Sequence, residues 1–580
     1  MPGKCSNYLL QGFTIQQMKE GYIFSVSYHS PYTNNMRYLF TICTLFITGL
    51  LQAQSPDLIL YNGKIFTADQ KQLYVQAVAI RGERITAVGG NTIITKMKGK
   101  DTKMIDLQGK TVIPGINDAH SHTGPEYPSR YFNLQQLPTD PTSWERISDS
   151  ITKIVKDVPA GTLIRSVINP DLFADSRACR AGLDLISGSH PVILSAWTGH
   201  GTLCNSKALA LLGFDEQSTY LGGWFSKDAD QKNSGIINEY ASYRISSILN
   251  ARLEAGDISK QLAGYYKDAL SFGITSDQVM ATQFSAKQSR EIFAKNDFGV
   301  RTRIIAFPVT GNNKILVSDW AGSFSKLNRK NVIAGVKLII DGTPIERLAC
   351  VSAPYSDAPH TSGHINFSDK VIGDFFAFCL RNKQQILVHA VGDSSVKTMI
   401  RVMLAMHPAS FWKTKRVRIE HADLAIMKDA DISLIKQLGI VIVQNPTHLG
   451  LPQLMMPRLN NRTAYLQAMR SLLNNDIPLA IGSDGPINPF LNIMLAAIHP
   501  DNPKEAISIE EAVIAYTKGS AYAEFTEKEK GTLAVGKYAD LAVLSQDIFT
   551  VPLNTLPVTQ SVMTIVGGKI LHRAEGRSGL

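Results

Sequence analysis

Short runs of alternating apolar and polar residues open and close the part of the chain that begins at Asp57. In the first stretch, 57–115, Asn62-Gly63 lies between two alternating runs, which is a hairpin signal. The same pattern returns near the other end, in residues 531–573. A period of two is typical of strands that bury one face. The two ends are therefore predicted to form halves of one small β-domain, with everything else inserted between them.

A different pattern fills the middle, where continuous apolar runs alternate with segments of helical character. Strands that are apolar throughout are typical of a parallel sheet with both faces buried. The runs lie at 111–120, 273–281, 300–307, 333–341, 385–393, 416–425, 439–448 and 477–485. Eight βα units predict a (β/α)8 barrel, an α/β fold whose chemistry lies at the carboxyl ends of the strands. The stretch of about 125–260 is too long for a βα connection, so it is predicted to be an inserted cap.

The composition is that of an ordinary globular protein, with 44% apolar and 19% charged residues among 580. This length predicts two or three domains. The formal net charge is +10, but the basic residues form no dense block, which argues against a nucleic-acid partner. The four cysteines after the N-terminal segment have no motif spacing, so the sequence allows either free thiols or a disulfide. They are Cys179, Cys204, Cys350 and Cys379.

The N-terminal segment has the layout of a secretory signal peptide. A basic residue, Arg37, precedes the apolar stretch 38–51, and small or polar residues follow it. The stretch is short for a bilayer span, and the alternative is a buried helix. Translation from Met36 would make 36–53 the signal peptide and 1–35 an unstructured extension. We therefore expect export to the periplasm or the medium, with no stable membrane anchor after cleavage.

A His-Ser-His motif follows the first apolar run directly. Residues two apart on a strand point to the same side, so His120 and His122 would face one pocket and bind one transition-metal ion. Taken alone, two polar loop residues explain the motif equally well. The other strand ends carry four more candidates: Lys337, His389, His421 and Asp484. Neutral imidazole suits zinc and similar divalent ions, and a carboxylate completes the set, so the sequence predicts a catalytic site for one or two metal ions.

Lys337 is the unexpected member of this set, because an ammonium group would repel a divalent cation. The residues around it, in GVKLIIDG, are apolar, which favours burial and a lowered pKa. A neutral amine reacts with carbon dioxide to give an anionic carbamate, which two metal ions would hold as a bridging ligand. The alternative is a lysine at a solvent-facing strand edge.

These residues, in this order, resemble the amidohydrolase superfamily. More closely, they resemble its amidohydrolase-3 branch of YtcJ-like metal-dependent hydrolases, which is related to N-substituted formamide deformylase. The stretches that carry the resemblance are TGHGTLCNSKAL (198–209), GVKLIIDG (335–342), VHAVGD (388–393), RIEHADL (418–424), QNPTH (444–448), LAIGSDGP (479–486) and GTLAVGKYADLAVL (531–544). The resemblance implies hydrolysis of C–N bonds by a (β/α)8 barrel over 114–525, with a composite β-sandwich from 54–113 and 526–580.

By position, the resemblance assigns the strand-end residues as metal ligands in two groups. The first ion would be held by His120, His122 and Asp484, and the second by His389, His421 and the bridging carbamate of Lys337. Zinc is the ion expected in both positions.

The chain departs from the branch at two places. TGH at 198–200 stands where the branch usually has Asp-Gly-His, although His200 can still reach the substrate. After the fourth run, the loop within 342–365 lacks the usual serine-rich segment. Both changes bear on substrate identity and leave the metal ligands intact. Glu239 and His448 are further candidates for substrate contact, and for Glu239 the alternative is a solvated helix residue.

The sequence thus predicts a metal-dependent amidohydrolase that hydrolyses a non-peptide C–N bond of a small molecule. A metal-bound hydroxide would attack the carbonyl, and Asp484 would act as general base and return the proton to the leaving nitrogen. The metal, with His448 or His200, would stabilise the oxyanion. An esterase, lactonase or deaminase on the same site is one alternative. A non-catalytic envelope binding protein is another, and the formation of a homo-oligomer is left open.

Overall fold

The eight apolar runs form a barrel of parallel strands, which pair in chain order. The computed structural model describes residues 17–18, 21–22, 55–134, 140–425 and 429–574. The barrel strands are β1 (Ile116–Ser121), β2 (Ile274–Met280), β3 (Arg301–Ala306), β4 (Val332–Ile339), β5 (Ile386–Ala390), β6 (Arg418–His421), β7 (Val441–Gln444) and β8 (Leu479–Ile481). The last strand returns to the first, because the Asp484 N–H donates to the His120 carbonyl oxygen over 2.9 Å. The predicted α/β barrel is confirmed.

Helices pack around the barrel and bury one face each. In Asp369–Arg381, the buried residues are Ile372, Phe375, Phe376 and Cys379, at the spacing of one helix face. The helices after the cap are Ala255–Ser271, Ala286–Lys295, Asp369–Arg381, Asp393–Met406, Ala409–Trp412, Asp429–Leu438, Pro452–Leu459, Met469–Asn474, Pro489–Ile498, Ile509–Ile514 and Ser520–Ala523. Single 3-10 turns lie at Val317–Trp320, Pro446–Gly450, Asn460–Tyr465, Pro503–Glu505 and Leu553–Val558, and a π-helical turn lies at Ala515–Gly519.

Two further sheets lie outside the barrel and the cap, and one of them combines strands from both ends of the chain, as the alternating runs predict. One sheet has the order Lys569–Arg573, Ser561–Val566, Leu541–Leu544, Thr111–Pro114, Lys64–Phe66 and Tyr74–Val75. The other has the order Arg84–Gly89, Ala77–Arg81, Leu58–Tyr61 and Lys103–Asp106, with the helical turns Asn91–Ile94 and Thr95–Met97 beside it. Side chains from both chain ends, such as Leu60, Val78 and Leu541, pack into one apolar core.

The first apolar run, 111–120, divides between two sheets. Thr111–Pro114 belongs to the sandwich, and β1 begins at Ile116. Gly115 makes this change possible, because a Cβ there would lie 2.1 Å from the Thr275 hydroxyl oxygen. The chain therefore passes from one sheet to the next in a single residue.

A buried ion pair joins the barrel to the sandwich. Arg301, in β3, donates from Nε and Nη2 to the two carboxylate oxygens of Asp540, over 2.8 and 3.2 Å. Both side chains are less than a tenth exposed. The Tyr538 ring lies 3.7 Å from the same guanidinium group. Because both groups are buried, the removal of one charge would leave the other without compensation in a region of low dielectric constant.

We expect Asp540→Ala to lower the free energy of unfolding by about 3–5 kcal/mol, because Arg301 would remain buried without its partner. Urea denaturation followed by circular dichroism measures the loss. The control is Asp374→Ala, which breaks the exposed pair with Lys370 and should cost no more than about 1 kcal/mol. Equal losses in the two variants would contradict the role of the buried pair.

The predicted cap is a separate mixed sheet with its own helices. Its strand order is Arg130–Asn133, Ile164–Ile168, Val192–Ala196, Gly201–Cys204, Asn233–Glu239 and Gly223–Lys227. Its helices are Trp144–Asp157, Arg180–Ser187, Ser206–Leu212 and Tyr240–Asn250, with a 3-10 turn at Pro170–Ala174. These elements all lie between β1 and β2 in the chain, so the cap is an insertion after the first strand.

A chain of buried polar side chains runs through the barrel interior. Its members, in order, are Lys530, Glu524, Asn117, Gln278, Arg418, Glu420 and His120, and none is more than 9% exposed. At one end, Lys530 Nζ lies 2.8 Å from Glu524. Further along, Arg418 donates to Gln278 over 2.5 Å. Each side chain bonds to the next, which satisfies polar groups that would otherwise be costly to bury.

The N-terminal segment is described only at two short strands, Gln17–Met18 and Gly21–Tyr22, which pair antiparallel. The predicted signal peptide, 36–53, lies outside the described residues. Among the described residues, none of the helices has the length and hydropathy that a bilayer crossing requires. The four cysteines that the sequence left open are free thiols.

Candidate metal centre

The strand-end residues singled out in the sequence meet at one end of the barrel. His120 and His122, at the end of β1, bring their Nε2 atoms to 3.3 Å from each other. Asp484, shortly after β8, places Oδ1 3.2 Å from Nε2 of His122 and 3.7 Å from Nε2 of His120. Three ligand atoms from two strands therefore converge, as metal coordination requires.

The second oxygen of Asp484 faces two more histidines. Oδ2 lies 3.3 Å from Nδ1 of His421 and 3.5 Å from Nε2 of His448. The His389 ring lies beside them, with its centroid 4.4 Å from that of His421. Its Nε2 is buried and has no hydrogen-bond partner. A buried nitrogen without a partner is costly, and a metal ion among these imidazoles and this carboxylate would supply one, so the residues fit such an ion.

Lys337 lies in β4 with its side chain inside the barrel, at 1% exposure. Its Nζ is 2.9 Å from Nε2 of His120. Burial lowers the pKa of this amine to about 8. The solvent-facing alternative is therefore wrong, and the uncharged amine, the form that reacts with carbon dioxide, is accessible near neutral pH.

The backbone at these strand ends adopts conformations that residues other than glycine rarely take. The φ angle is +70° at His421 and +39° at Asp484. Such conformations cost about 1–3 kcal/mol each and collect at functional sites. Gly482 is needed close by, because a Cβ there would lie 2.4 Å from the backbone nitrogen of His120. The ends of β1, β6 and β8 are thus held in close contact.

Neighbouring side chains fix the orientation of the ligand histidines. Nδ1 of His120 lies 2.7 Å from Glu420, which accepts two hydrogen bonds from Arg418, of 2.8 and 3.0 Å. Burial opposes ionisation of Glu420, but Arg418 and His120 lower its pKa to about 2. The carboxylate therefore accepts from Nδ1–H, and Nε2 keeps its lone pair for a metal ion. Asn445 holds His421 in the same way, with its Oδ1 2.9 Å from Nδ1.

The protonation states also suit metal binding. Burial, together with the Lys337 amine, lowers the pKa of His120 to about 4. Burial likewise holds the pKa values of His389 and His421 well below the usual range. Burial alone would raise the pKa of Asp484, but His120 and His421 hold it well below its usual value. Neutral imidazoles and an ionised carboxylate are the forms that bind metals.

His448 lies between two carboxylates. Its Nδ1 is 3.3 Å from Asp423 and its Nε2 is 3.5 Å from Asp484. Burial opposes its protonation, yet Asp423 and Asp484 raise its pKa to about 10. The two carboxylates therefore favour the protonated, positively charged form of His448 beside Asp484.

The two cap candidates, His200 and Glu239, meet each other next to the centre. Nδ1 of His200 is 2.9 Å from the Glu239 carboxylate, and the His200 ring is 5.1 Å from the His389 ring. Tyr243 adds its hydroxyl 3.1 Å from the same Nδ1. Glu239 is fully buried, has φ +52° and accepts from Asn366 over 3.1 Å. The solvated alternative for Glu239 is therefore wrong.

Several partners of these residues were not singled out in the sequence. They include Glu420, Arg418 and Asn445, and also Asp423, which lies beside His448. Arg418 and Glu420 alternate with an apolar residue in β6, so inward-facing charges in a buried strand were the available signal. Asn445 and Asp423 lie just outside strands, where the sequence pattern carries no such signal.

Comparison with known proteins agrees with the fold. Protein LONG AFTER FAR-RED 3 of Arabidopsis thaliana is 28% identical over 546 residues, covering 89% of this chain and 91% of that protein. N-substituted formamide deformylase of Arthrobacter pascens is 24% identical over 550 residues, covering 90% and 99%. The crystal structure of an uncharacterized metal-dependent hydrolase from Pyrococcus horikoshii has the same fold, with a TM-score of 0.67, 20% identity and coverage of 86% and 99%.

The chain also matches a protein family over most of its length. Residues 103–572 match the Amidohydrolase family, and this range covers the barrel, the cap and about half of the sandwich. The resemblance predicted from the strand-end residues is confirmed, and family membership supports a hydrolase with a metal-binding site. This chain belongs to the Amidohydrolase family.

Proposed function

We propose that the protein is a zinc-dependent hydrolase that cleaves an amide-type, non-peptide C–N bond in a small molecule. The observation that carries this proposal is the position of Asp484, whose two oxygens lie against two separate groups of imidazoles. A carboxylate placed in this way can hold metal and still exchange a proton with the substrate.

Two ions would be held by the strand-end ligands. We assign His120, His122 and Asp484 to the first ion, and His389, His421 and the Lys337 carbamate to the second. The carbamate forms when the uncharged Nζ adds to the carbon of carbon dioxide and releases one proton. When bound, the metal polarises the carbonyl and lowers the pKa of water towards neutrality.

Side chains of the protein then transfer the proton and stabilise the developing charge. Asp484 takes a proton on a carboxylate oxygen and passes it to the leaving nitrogen. Asp423 fixes the orientation of His448, whose Nε2 lies beside Asp484. From this position Nε2 would donate to the substrate carbonyl oxygen as negative charge develops on it. Glu239 accepts from Nδ1 of His200, and the other ring nitrogen, 3.3 Å from the Tyr243 hydroxyl, is the one that would meet the substrate.

The C–N bond is the best-supported target among those this site can hydrolyse. The matched relative from Arthrobacter pascens is named for the hydrolysis of N-substituted formamides, and the match spans almost its whole length. A panel of N-substituted formamides, N-acyl compounds, esters, lactones and aminopurines tests the assignment. Turnover of esters or aminopurines alone would replace the proposal with an esterase or a deaminase.

Removal of metal provides a direct test. Dialysis against 1,10-phenanthroline is expected to reduce the rate at least about 100-fold, because the metal supplies several kcal/mol of charge stabilisation. Adding zinc should restore it. The apoprotein should also melt at a lower temperature, since His389 Nε2 and its neighbours would lose their partner. Full activity in protein shown by elemental analysis to be free of metal would refute the proposal.

A further inference from the structure

Glu346 is a half-buried carboxylate beside the centre that the proposed reaction does not use. It lies in the loop between β4 and the helix Asp369–Arg381. Its two oxygens accept hydrogen bonds from different elements, one from the Thr198 hydroxyl of the cap and one from the Thr343 hydroxyl of its own loop. Glu346 therefore joins the cap to the rim of the barrel.

This contact lies one side chain away from a metal ligand. Thr198 is two residues before His200, whose ring is 5.1 Å from that of His389. Glu346 and His200 also interact electrostatically. The two places where the sequence departs from its branch, 198 and the loop after the fourth run, are thus in direct contact near the reacting centre.

The wall formed here has an excess of negative charge. Carboxylates of Glu239 and Glu346 both act on the single imidazole of His200. The neighbouring Arg347 does not neutralise them, because its guanidinium is held by Asp357 through hydrogen bonds of 3.0 and 2.6 Å. A carboxylate has about four acceptor positions, so the two threonines leave part of Glu346 for another donor.

We propose that Glu346 makes the enzyme selective for substrates with a cationic amine on the group next to the scissile bond. This inference rests on the proposed function and names its substrate class. A substrate ammonium would donate to the free positions of the carboxylate, and hydrogen bonds between two charged groups are stronger than those between neutral ones. A substrate carboxylate would be repelled at the same place.

Three probes of matched length test the charge preference. N-(4-aminobutyl)formamide carries an ammonium, N-pentylformamide a methyl group and 4-formamidobutanoate a carboxylate at the same end. In the wild-type enzyme we expect kcat/KM for the ammonium probe to exceed that for the neutral probe at least about tenfold, as one charge-assisted bond can supply. Glu346→Gln should remove the preference mainly through KM, since the amide oxygen still accepts from the threonines.

The control is Glu291→Gln, which removes an exposed carboxylate paired with Lys295 and should leave the preference unchanged. Binding of the same probes to the zinc-loaded Asp484→Asn variant, by calorimetry, separates this inference from the proposed function. If the wild-type enzyme hydrolyses none of the probes, the proposal that it hydrolyses formamides is contradicted. A Glu346→Gln substitution that weakens all three probes equally, or leaves the ammonium preference intact, overturns the role of Glu346.

Discussion

Asp484→Asn is expected to lower kcat by about 10²–10⁴-fold, because the amide cannot take and return a proton. The substitution keeps the shape of the side chain, so the φ of +39° at this position and the hydrogen bond from its N–H to His120 should survive. Steady-state kinetics with the best substrate of the panel, together with the zinc content of the variant, measures the effect.

Zinc content separates the two roles of this carboxylate. A variant that retains zinc but not turnover has lost its proton carrier, whereas one that loses both has lost a ligand. Asp476→Asn, at a carboxylate 87% exposed on the outside of the barrel, is the matched control and should behave as the wild type. An Asp484→Asn variant with wild-type kcat would disprove the assignment of Asp484.

Lys337→Ala is expected to lose about half of the bound zinc and most of the activity, because no bridging anion can form. The fold should persist, as the side chain contacts a proposed metal ligand, with Nζ 2.9 Å from Nε2 of His120, and the strand itself keeps its apolar residues. Acetate or propionate should restore part of the rate by taking the place of the missing carbamate. Elemental analysis and kinetics at increasing carboxylate concentration measure both effects.

The reaction with carbon dioxide gives a second measurement on the same residue. Bicarbonate should increase zinc uptake by wild-type apoprotein and have no effect on Lys337→Ala. Lys337→Met, which keeps the length of the side chain without its amine, should behave like the alanine variant. Wild-type zinc content and rate in both variants would show that Lys337 only packs inside the barrel.

The barrel and its ligands follow from patterns that are local in the sequence. Continuous apolar runs identify the strands, and histidines within such runs, near the carboxyl end of each strand, stand out, so His389 and His421 could be located from the sequence. The reason why the chain changes sheets at Gly115 was not visible, because it depends on the close approach of Thr275.

Contacts between distant parts of the chain could not be predicted in this way. Thr198 and Glu346 are separated by 148 positions, and nothing near either residue indicates the other. The left-handed backbone at His421 and Asp484 is equally hidden, because histidine and aspartate adopt positive φ more often than most residues but still only at a small minority of their positions. Such features arise from tertiary packing, which overrides local preference at functional sites.

The polar chain inside the barrel restricts the order in which its residues can be replaced. A single change, such as Gln278→Leu, removes one buried hydrogen bond from each of its partners, Asn117 and Arg418, although a concerted apolar replacement would carry no such penalty. Effects of substitutions along it should therefore be strongly non-additive. In laboratory evolution of this enzyme, single substitutions should be tolerated in the cap and in the loop after β4. Along the polar chain from Lys530 to His120, a substitution should be tolerated only together with changes in its neighbours.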